Sequence, residues 1–152
     1  MRTLGRDGDK LEVLRRVKEV RPDADRRWGK MSAHQMICHL SDGFRMATGE
    51  KEVSHLTSLP HRTIVKWIAL YAPMRWPAGI ATRPEVDQLV AGTRLGDFTA
   101  DVAELEHLLE AFSGQAAALD GLRHPTFGRM SGKAWLRWGY LHVDHHLRQF
   151  GT

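Results

Sequence analysis

Apolar residues recur every three or four positions along most of this chain, which is the spacing of residues on one face of an α-helix. Leu11, Leu14 and Val17 form one such stripe, and Pro22 ends it. No run of alternating apolar and polar residues predicts a strand. The pattern predicts five helices, over residues 9–20, 32–48, 63–71, 99–119 and 131–150.

Two of these helices carry clear end signals. Ser32 is a good N-cap residue, and Gln35 follows it by three positions, which together make a capping box. Gly49 is placed to end the same helix. Ser131 is the N-cap of the last helix, and Gly151 is a natural stop for it.

A stretch rich in proline and glycine separates the third and fourth helices. Residues 73–97 contain three prolines and three glycines, so they predict a long irregular connection. Connections of this length in a small domain are usually functional lids or disordered segments. The expected fold is therefore all-α: an antiparallel four-helix bundle in one domain over residues 1–152, with a short extra helix and this connection.

Two helix entrances are alike in sequence. Residues 28–32 and 127–131 both read aromatic, glycine, basic, methionine, serine, and each segment precedes a helix that later presents histidine. An internal duplication and the shared chemistry of helix capping explain this similarity equally well.

Composition narrows the class of protein. The chain has 152 residues, of which 42% are hydrophobic, enough for a real core. A single cysteine, Cys38, excludes an internal disulfide and a multi-cysteine zinc module. The net charge of +4 is spread along the chain, so nucleic-acid binding is not favoured. The N-terminus lacks the apolar core of a signal peptide, and residues 64–74 are too short to span a membrane, so we expect a cytoplasmic protein without membrane contact.

Histidine is the informative residue type, with nine in the chain. His142 and His146 are four residues apart on one helix, so their rings point the same way and can bind one metal ion. His145 projects about 100° from His146 and cannot share that ion from a regular helix. The pair 142/146 is preferred to 142/145 because its face borders the apolar stripe.

A third ligand must come from another helix. His39 is the best candidate because it lies beside the apolar stripe of the second helix. His34 is near the start of that helix and is expected to be exposed, and His124 in a loop is a reserve. A buried histidine that is only hydrogen-bonded remains the alternative for each of them.

Several neighbours of these histidines have candidate supporting roles. Gln35 and Asp42 are each placed to hold the ring of His39, although Gln35 serves the capping box equally well. Asp144 is expected to face solvent, and Gln149 to hydrogen-bond with His145. Cys38 is expected to be a small buried side chain.

Residues 31–42 and 142–151 together resemble the DinB/YfiT-like superfamily, in particular a branch of uncharacterised bacterial domains. Residues 76–85 resemble the connection of the same branch. The resemblance implies a four-helix bundle in which one histidine of the second bundle helix and an H-x-x-x-H pair of the last helix bind one divalent metal. In this sequence these residues are His39, His142 and His146.

The resemblance implies a metal-dependent enzyme that acts on a small molecule, by thiol transfer or by hydrolysis, and relatives that use low-molecular-weight thiols suggest such a thiol as substrate. A non-catalytic metal-binding or dimerising bundle is the alternative. Zinc or nickel is the expected ion, with iron or manganese also compatible with three imidazoles. A homodimer is expected by resemblance, and no catalytic residue is identified.

Overall fold

In this computed structural model, which describes residues 1–56 and 58–152, the chain is mostly helical, with six α-helices, 54% of residues in helical conformation and one small two-stranded sheet. The helices are α1 Asp7–Lys18, α2 Ala33–Thr48, α3 Lys66–Tyr71, α4 Phe98–Ser113, α5 Ala116–Leu119 and α6 Gly132–Gln149. The strands are β1 Arg123–His124 and β2 Gly128–Arg129, which pair antiparallel.

The predicted helices are present, but the third is not α-helical throughout and the fourth is interrupted. The predicted third helix begins with a wide π-helical turn, His61–Val65, that leads into α3. The fourth stops at Ser113, where Gly114 takes the C-cap position, and the short α5 follows. A helix without interruption over residues 99–119 is therefore wrong, because the apolar spacing continues across a glycine that ends the helix.

The expectation of an all-α fold missed the small sheet. Each strand has only two residues, which is too short to produce an alternating pattern. Gly128 adopts a φ of 66°, a left-handed conformation that favours glycine and lets the chain turn back between the strands.

The four long helices pack against one another around a common core. Helix α2 packs along α4 and also against α6, and α1 packs against both α4 and α6. Gly139 lets the side chains of Leu4 and Phe112 pack directly against α6, because a Cβ there would lie 2.8 Å from Leu4 and 2.9 Å from Phe112. The largest fully buried side chains of the core include Phe44, Phe112, Trp135, Met36, Ile37, Leu40, Leu105, Leu109 and Leu147.

The apolar stripe predicted for α1 is right at two of its three positions. Leu11 is 62% exposed, whereas Val13, Leu14 and Val17 are buried. The spacing did not show that Val13, rather than Leu11, joins Leu14 and Val17 in the core, because both positions 11 and 13 are apolar.

The proline- and glycine-rich connection is fixed to α2 by one buried carboxylate. Asp42 accepts hydrogen bonds from the backbone N–H of Thr93 at 2.8 Å, from its hydroxyl at 2.5 Å and from the amide of Gln88 at 2.8 Å. Lys51 lies 3.0 Å from the same carboxylate. Asp42 thus holds the end of the connection against the helix that carries His39.

In the part of the chain that the structure describes, none of the helices combines the length and the apolar character needed to cross a bilayer.

Candidate metal centre

The structure brings together His39 of α2 with His142 and His146 of α6. One ring nitrogen of each lies within 4.8 Å of the others, and the Nε2 atoms of His39 and His142 are 3.1 Å apart. Two nitrogens bound at about 2.0–2.1 Å to one tetrahedral ion would lie about 3.3 Å apart. The three rings therefore have the spacing of ligands to a single divalent ion.

Helix capping sets the position of these ligands along their helices. Ser32 accepts the backbone N–H of Gln35, and the side chain of Gln35 accepts the backbone N–H of Ser32, so the capping box predicted for α2 is formed. Ser131 caps α6 by accepting the N–H of Ala134 at 3.2 Å. The Gln35 side chain is engaged in the cap, so it does not orient His39.

The ring of His39 is oriented by a backbone carbonyl of the connection. Its Nδ1 lies 2.6 Å from the carbonyl oxygen of Val86, so Nδ1 carries the proton and donates it. In a neutral ring, Nε2 then has the free lone pair, and it faces His142. Asp42 was a candidate for this role but instead anchors Thr93 and Gln88. No sequence signal identifies a backbone carbonyl, such as that of Val86, as the acceptor.

The ring of His146 is oriented by Gln149. The Gln149 amide donates to the carbonyl of Trp28 at 2.7 Å, so its oxygen faces His146 and accepts from Nδ1 at 3.1 Å. The free lone pair of His146 is again on Nε2. The prediction that Gln149 pairs with His145 is wrong, because the side chain turns inward toward the residue three positions earlier rather than four.

The ring of His142 is positioned by packing. It stacks on Trp138 with ring centres 4.9 Å apart and planes at 25°. Gly43 faces it from α2, where a Cβ would lie 3.0 Å from Cε1 of His142. Trp138 itself is buried in the hydrophobic core.

Burial keeps all three rings neutral. Desolvation lowers the pKa of His39, and it lowers the pKa values of His142 and His146 well below the usual value, with further depression from the neighbouring histidines. Neutral imidazole is the form that binds a metal, and two of the three rings are already in the required tautomer. The donor set therefore fits one divalent cation.

Of the six histidines outside this cluster, three were considered from the sequence: His34, His124 and His145. His145 is buried beside it, with its ring centre 5.1 Å from that of His146, and its ring is not part of the triad. His34, expected to be exposed, instead contacts Asp101 at 2.7 Å. His124 lies against Phe127, and its Nδ1 accepts the backbone N–H groups of Thr126 and Phe127. Burial lowers the pKa of His124 to about 3.

A second group of donor atoms also falls within 4.8 Å: His34, Cys38 and Asp101. Here one oxygen of Asp101 accepts from His34, from the Cys38 thiol at 3.4 Å and from the backbone N–H of Gly96 at 2.9 Å. Burial and the charge of Asp101 raise the pKa of Cys38 to about 12, so the thiol stays protonated. These bonds explain the cluster as a link between α2 and α4, and Cys38 is buried as predicted.

Asp144 does not face solvent as predicted. Its carboxylate contacts Arg16 of α1 at 2.8 Å and Arg148 at 2.9 Å. Spacing along α6 places Asp144 away from His142 and His146, but it could not show that α1 packs there and supplies the buried partner Arg16.

The triad borders a cavity of about 540 Å³. Residues of the connection, among them Met74, Trp76 and Ile80, line this cavity together with His39, His142 and His146. A volume of this size suits a small molecule. The arrangement therefore combines a set of metal-binding side chains with room for a ligand beside them.

Comparison with known protein families matches residues 6–152 to the family described as "Protein of unknown function (DUF1569)". No match was found among curated proteins or among solved structures. Because the family match spans nearly the whole length of the sequence, the chain belongs to the DUF1569 family.

Proposed function

We propose that this chain is a metal-dependent enzyme of the DinB/YfiT-like type, which binds one divalent ion through His39, His142 and His146 and acts on a small molecule in the adjoining cavity. The proposal includes a single four-helix bundle of α1, α2, α4 and α6 over residues 1–152. It is carried by one observation: three neutral imidazoles from two helices lie within bonding reach of one ion, beside a cavity.

The bound ion would act as a Lewis acid toward an oxygen or sulfur of the substrate, or lower the pKa of a bound water or thiol, which suits hydrolysis or thiol transfer. The chain's own residues prepare the site. The Val86 carbonyl and Gln149 fix two rings with their Nε2 lone pairs directed inward, and Trp138 fixes the third. Three protein ligands leave open positions on a tetrahedral or octahedral ion.

The first test is the metal content of protein purified without a histidine tag, after exposure to zinc or nickel. We expect about one divalent ion per chain in the parent, and less than a tenth of that in a His142→Ala/His146→Ala variant, because one remaining imidazole binds weakly. His145→Ala is the matched control on the same helix and should keep its ion. A parent chain that binds neither metal contradicts the proposal.

A non-catalytic, structural metal is the second candidate, and the burial of His39 and His146 favours it. Unfolding with and without a chelator separates the two. Removal of a structural ion should lower the melting temperature by more than about 10 °C, because the free energy of binding that ion is part of the free energy of folding. A small shift with loss of turnover would favour the enzyme. The homodimer and the low-molecular-weight thiol substrate stay predictions of the family resemblance.

A further inference from the structure

The cavity beside the triad has cations but no acidic residue on its walls. Arg75 and Arg83 are the charged side chains that line it, and none of the described lining residues is aspartate or glutamate. We propose that the cavity binds a small molecule with an apolar body and one negative charge, the charge facing Arg75 and Arg83. This rests on the proposed function in taking the cavity as the small-molecule site.

The apolar part of the ligand is indicated by side chains that are otherwise unexplained. Val65, Ile68, Met74 and Ile80 are large apolar residues that are 38–61% exposed, and all four line this cavity. Exposed apolar residues that converge on one concavity mark a binding site rather than random surface composition. An apolar body of the ligand would remove this surface from water.

The charge is indicated by the state of the two guanidinium groups. Among the described residues, neither Arg75 nor Arg83 has a carboxylate within 4.0 Å, although twelve ion pairs of lysine or arginine with a carboxylate form elsewhere in the molecule. Arg83 donates through Nη2 to Ser54, and its Nε is buried without an acceptor. A carboxylate is the planar acceptor that a guanidinium fork binds best.

The same walls disfavour the other charge classes. A cationic ligand would meet two arginines and no carboxylate to compensate for its desolvation. A strongly polar neutral ligand would lose hydrogen bonds to water against Val65, Ile68 and Ile80. A monoanionic amphiphile is the class that both the apolar wall and the arginines accept.

Three eight-carbon probes test the proposal by calorimetric titration into the full chain: octanoate, octanol and octylamine. We expect octanoate to bind at least about tenfold more tightly than octylamine. One charge-assisted hydrogen bond contributes about this much affinity. Hexanoate should bind about fifteenfold more weakly than octanoate, because each buried methylene contributes about fourfold. Equal or tighter binding of octylamine, or no saturable binding of octanoate, would overturn the proposal.

Variants assign the charge to the arginines. Arg75→Gln/Arg83→Gln should weaken octanoate at least about tenfold and leave octanol within about twofold. Arg15→Gln/Arg21→Gln, which removes two exposed arginines outside the cavity, is the matched control and should change neither. If the first variant fails to fold, the probe series on the parent still decides the ligand class.

The metal proposal can fail separately. The parent chain stripped of metal with a chelator should keep octanoate binding within about threefold of the zinc-loaded chain, because the arginines and not the ion receive the carboxylate. Octanoate binding that disappears with the metal would overturn the arginine assignment. A parent chain that binds octanoate but no metal would remove the proposed enzyme and leave this inference standing, and a chain that binds metal but not octanoate would do the reverse.

Discussion

The histidines of this protein differ in chemistry because their surroundings differ, although all start from the same side chain. His39 and His146 each donate Nδ1–H to a fixed oxygen, which leaves one lone pair facing the cluster. His124 has the opposite tautomer, because its Nδ1 accepts two backbone N–H groups. A ring with Nδ1 used in this way has its proton on Nε2 and serves the loop rather than an ion.

His124 should make the protein sensitive to acid. Its pKa is about 3 in the folded chain against 6.5 in the unfolded one, so below pH 6.5 the unfolded chain gains a proton that the folded chain refuses. The free energy of unfolding should therefore fall by about 1.4 kcal/mol per pH unit from this residue, between pH 6.5 and pH 3. His124→Asn keeps an acceptor for the loop N–H groups but cannot titrate.

The measurement is urea unfolding from pH 7 to pH 4, in excess chelator, for both chains. The plot of unfolding free energy against pH should be less steep for His124→Asn by about one proton. His107→Asn, on the exposed face of α4, is the control and should leave the slope unchanged. Parallel curves for parent and His124→Asn would contradict the prediction.

Gly43 provides the space that the ring of His142 occupies. A Cβ at this position would lie 3.0 Å from Cε1 and 3.3 Å from Nδ1 of that ring, tighter than ordinary contacts. Gly43→Ala should therefore displace His142 and weaken zinc binding by about tenfold or more. Competition with a chromogenic chelator measures this. Gly8→Ala on α1, where a Cβ meets open space, should keep the parent affinity.

At the scale of single elements, the sequence predicted the two helices that carry the histidine triad well, and the groups that orient the rings poorly. Both α2 and α6 begin one residue after their predicted serine caps, because a cap and a stripe are local signals. The break at Gly114 was missed because the apolar spacing continues across it. The two strands were missed because two residues are too few to show an alternating pattern. The carbonyl of Val86 left no signal at all, because every residue has one.

The connection between α3 and α4 depends on one buried group. Asp42→Asn would place an amide N–H₂ or a single acceptor among donors from Thr93, Gln88 and Lys51. We expect a loss of about 1–3 kcal/mol in the free energy of unfolding and faster hydrogen exchange over residues 84–93. Asp23→Asn, at an exposed site, is the control. Unchanged exchange in this segment would show that Asp42 does not hold it.

For the whole molecule, a buried arginine joins the first helix to the last. Arg16 contacts Glu12 on its own helix, Asp144 on α6 and the carbonyl of Thr152. Nothing in the spacing of α1 distinguished it from Arg15, which is exposed. The partner helix decides which arginine is buried, so this link between distant segments could not be predicted from sequence alone.

Arg16→Met should cost about 1–3 kcal/mol of unfolding free energy, because it leaves a partly buried carboxylate, Asp144, with one partner fewer. Arg15→Met removes a neighbouring exposed arginine and should stay within about 0.5 kcal/mol of the parent. Chemical denaturation compares the three chains. Equal losses of unfolding free energy in the two variants would contradict this prediction. They would mean that the buried contacts of Arg16 stabilise the protein no more than the exposed pair of Arg15 with Glu19.

The hydrogen bond from His39 to Val86 has a consequence for how this family can vary. The group that orients the ring belongs to the main chain, so no side-chain substitution at position 86 can delete it. The segment that contains Val86 is fixed to Asp42 through Gln88 and Thr93. Insertion or loss of one residue in this segment would move the Val86 carbonyl away from His39. Homologues that bind metal should therefore differ freely in the residues of this stretch while keeping its length constant.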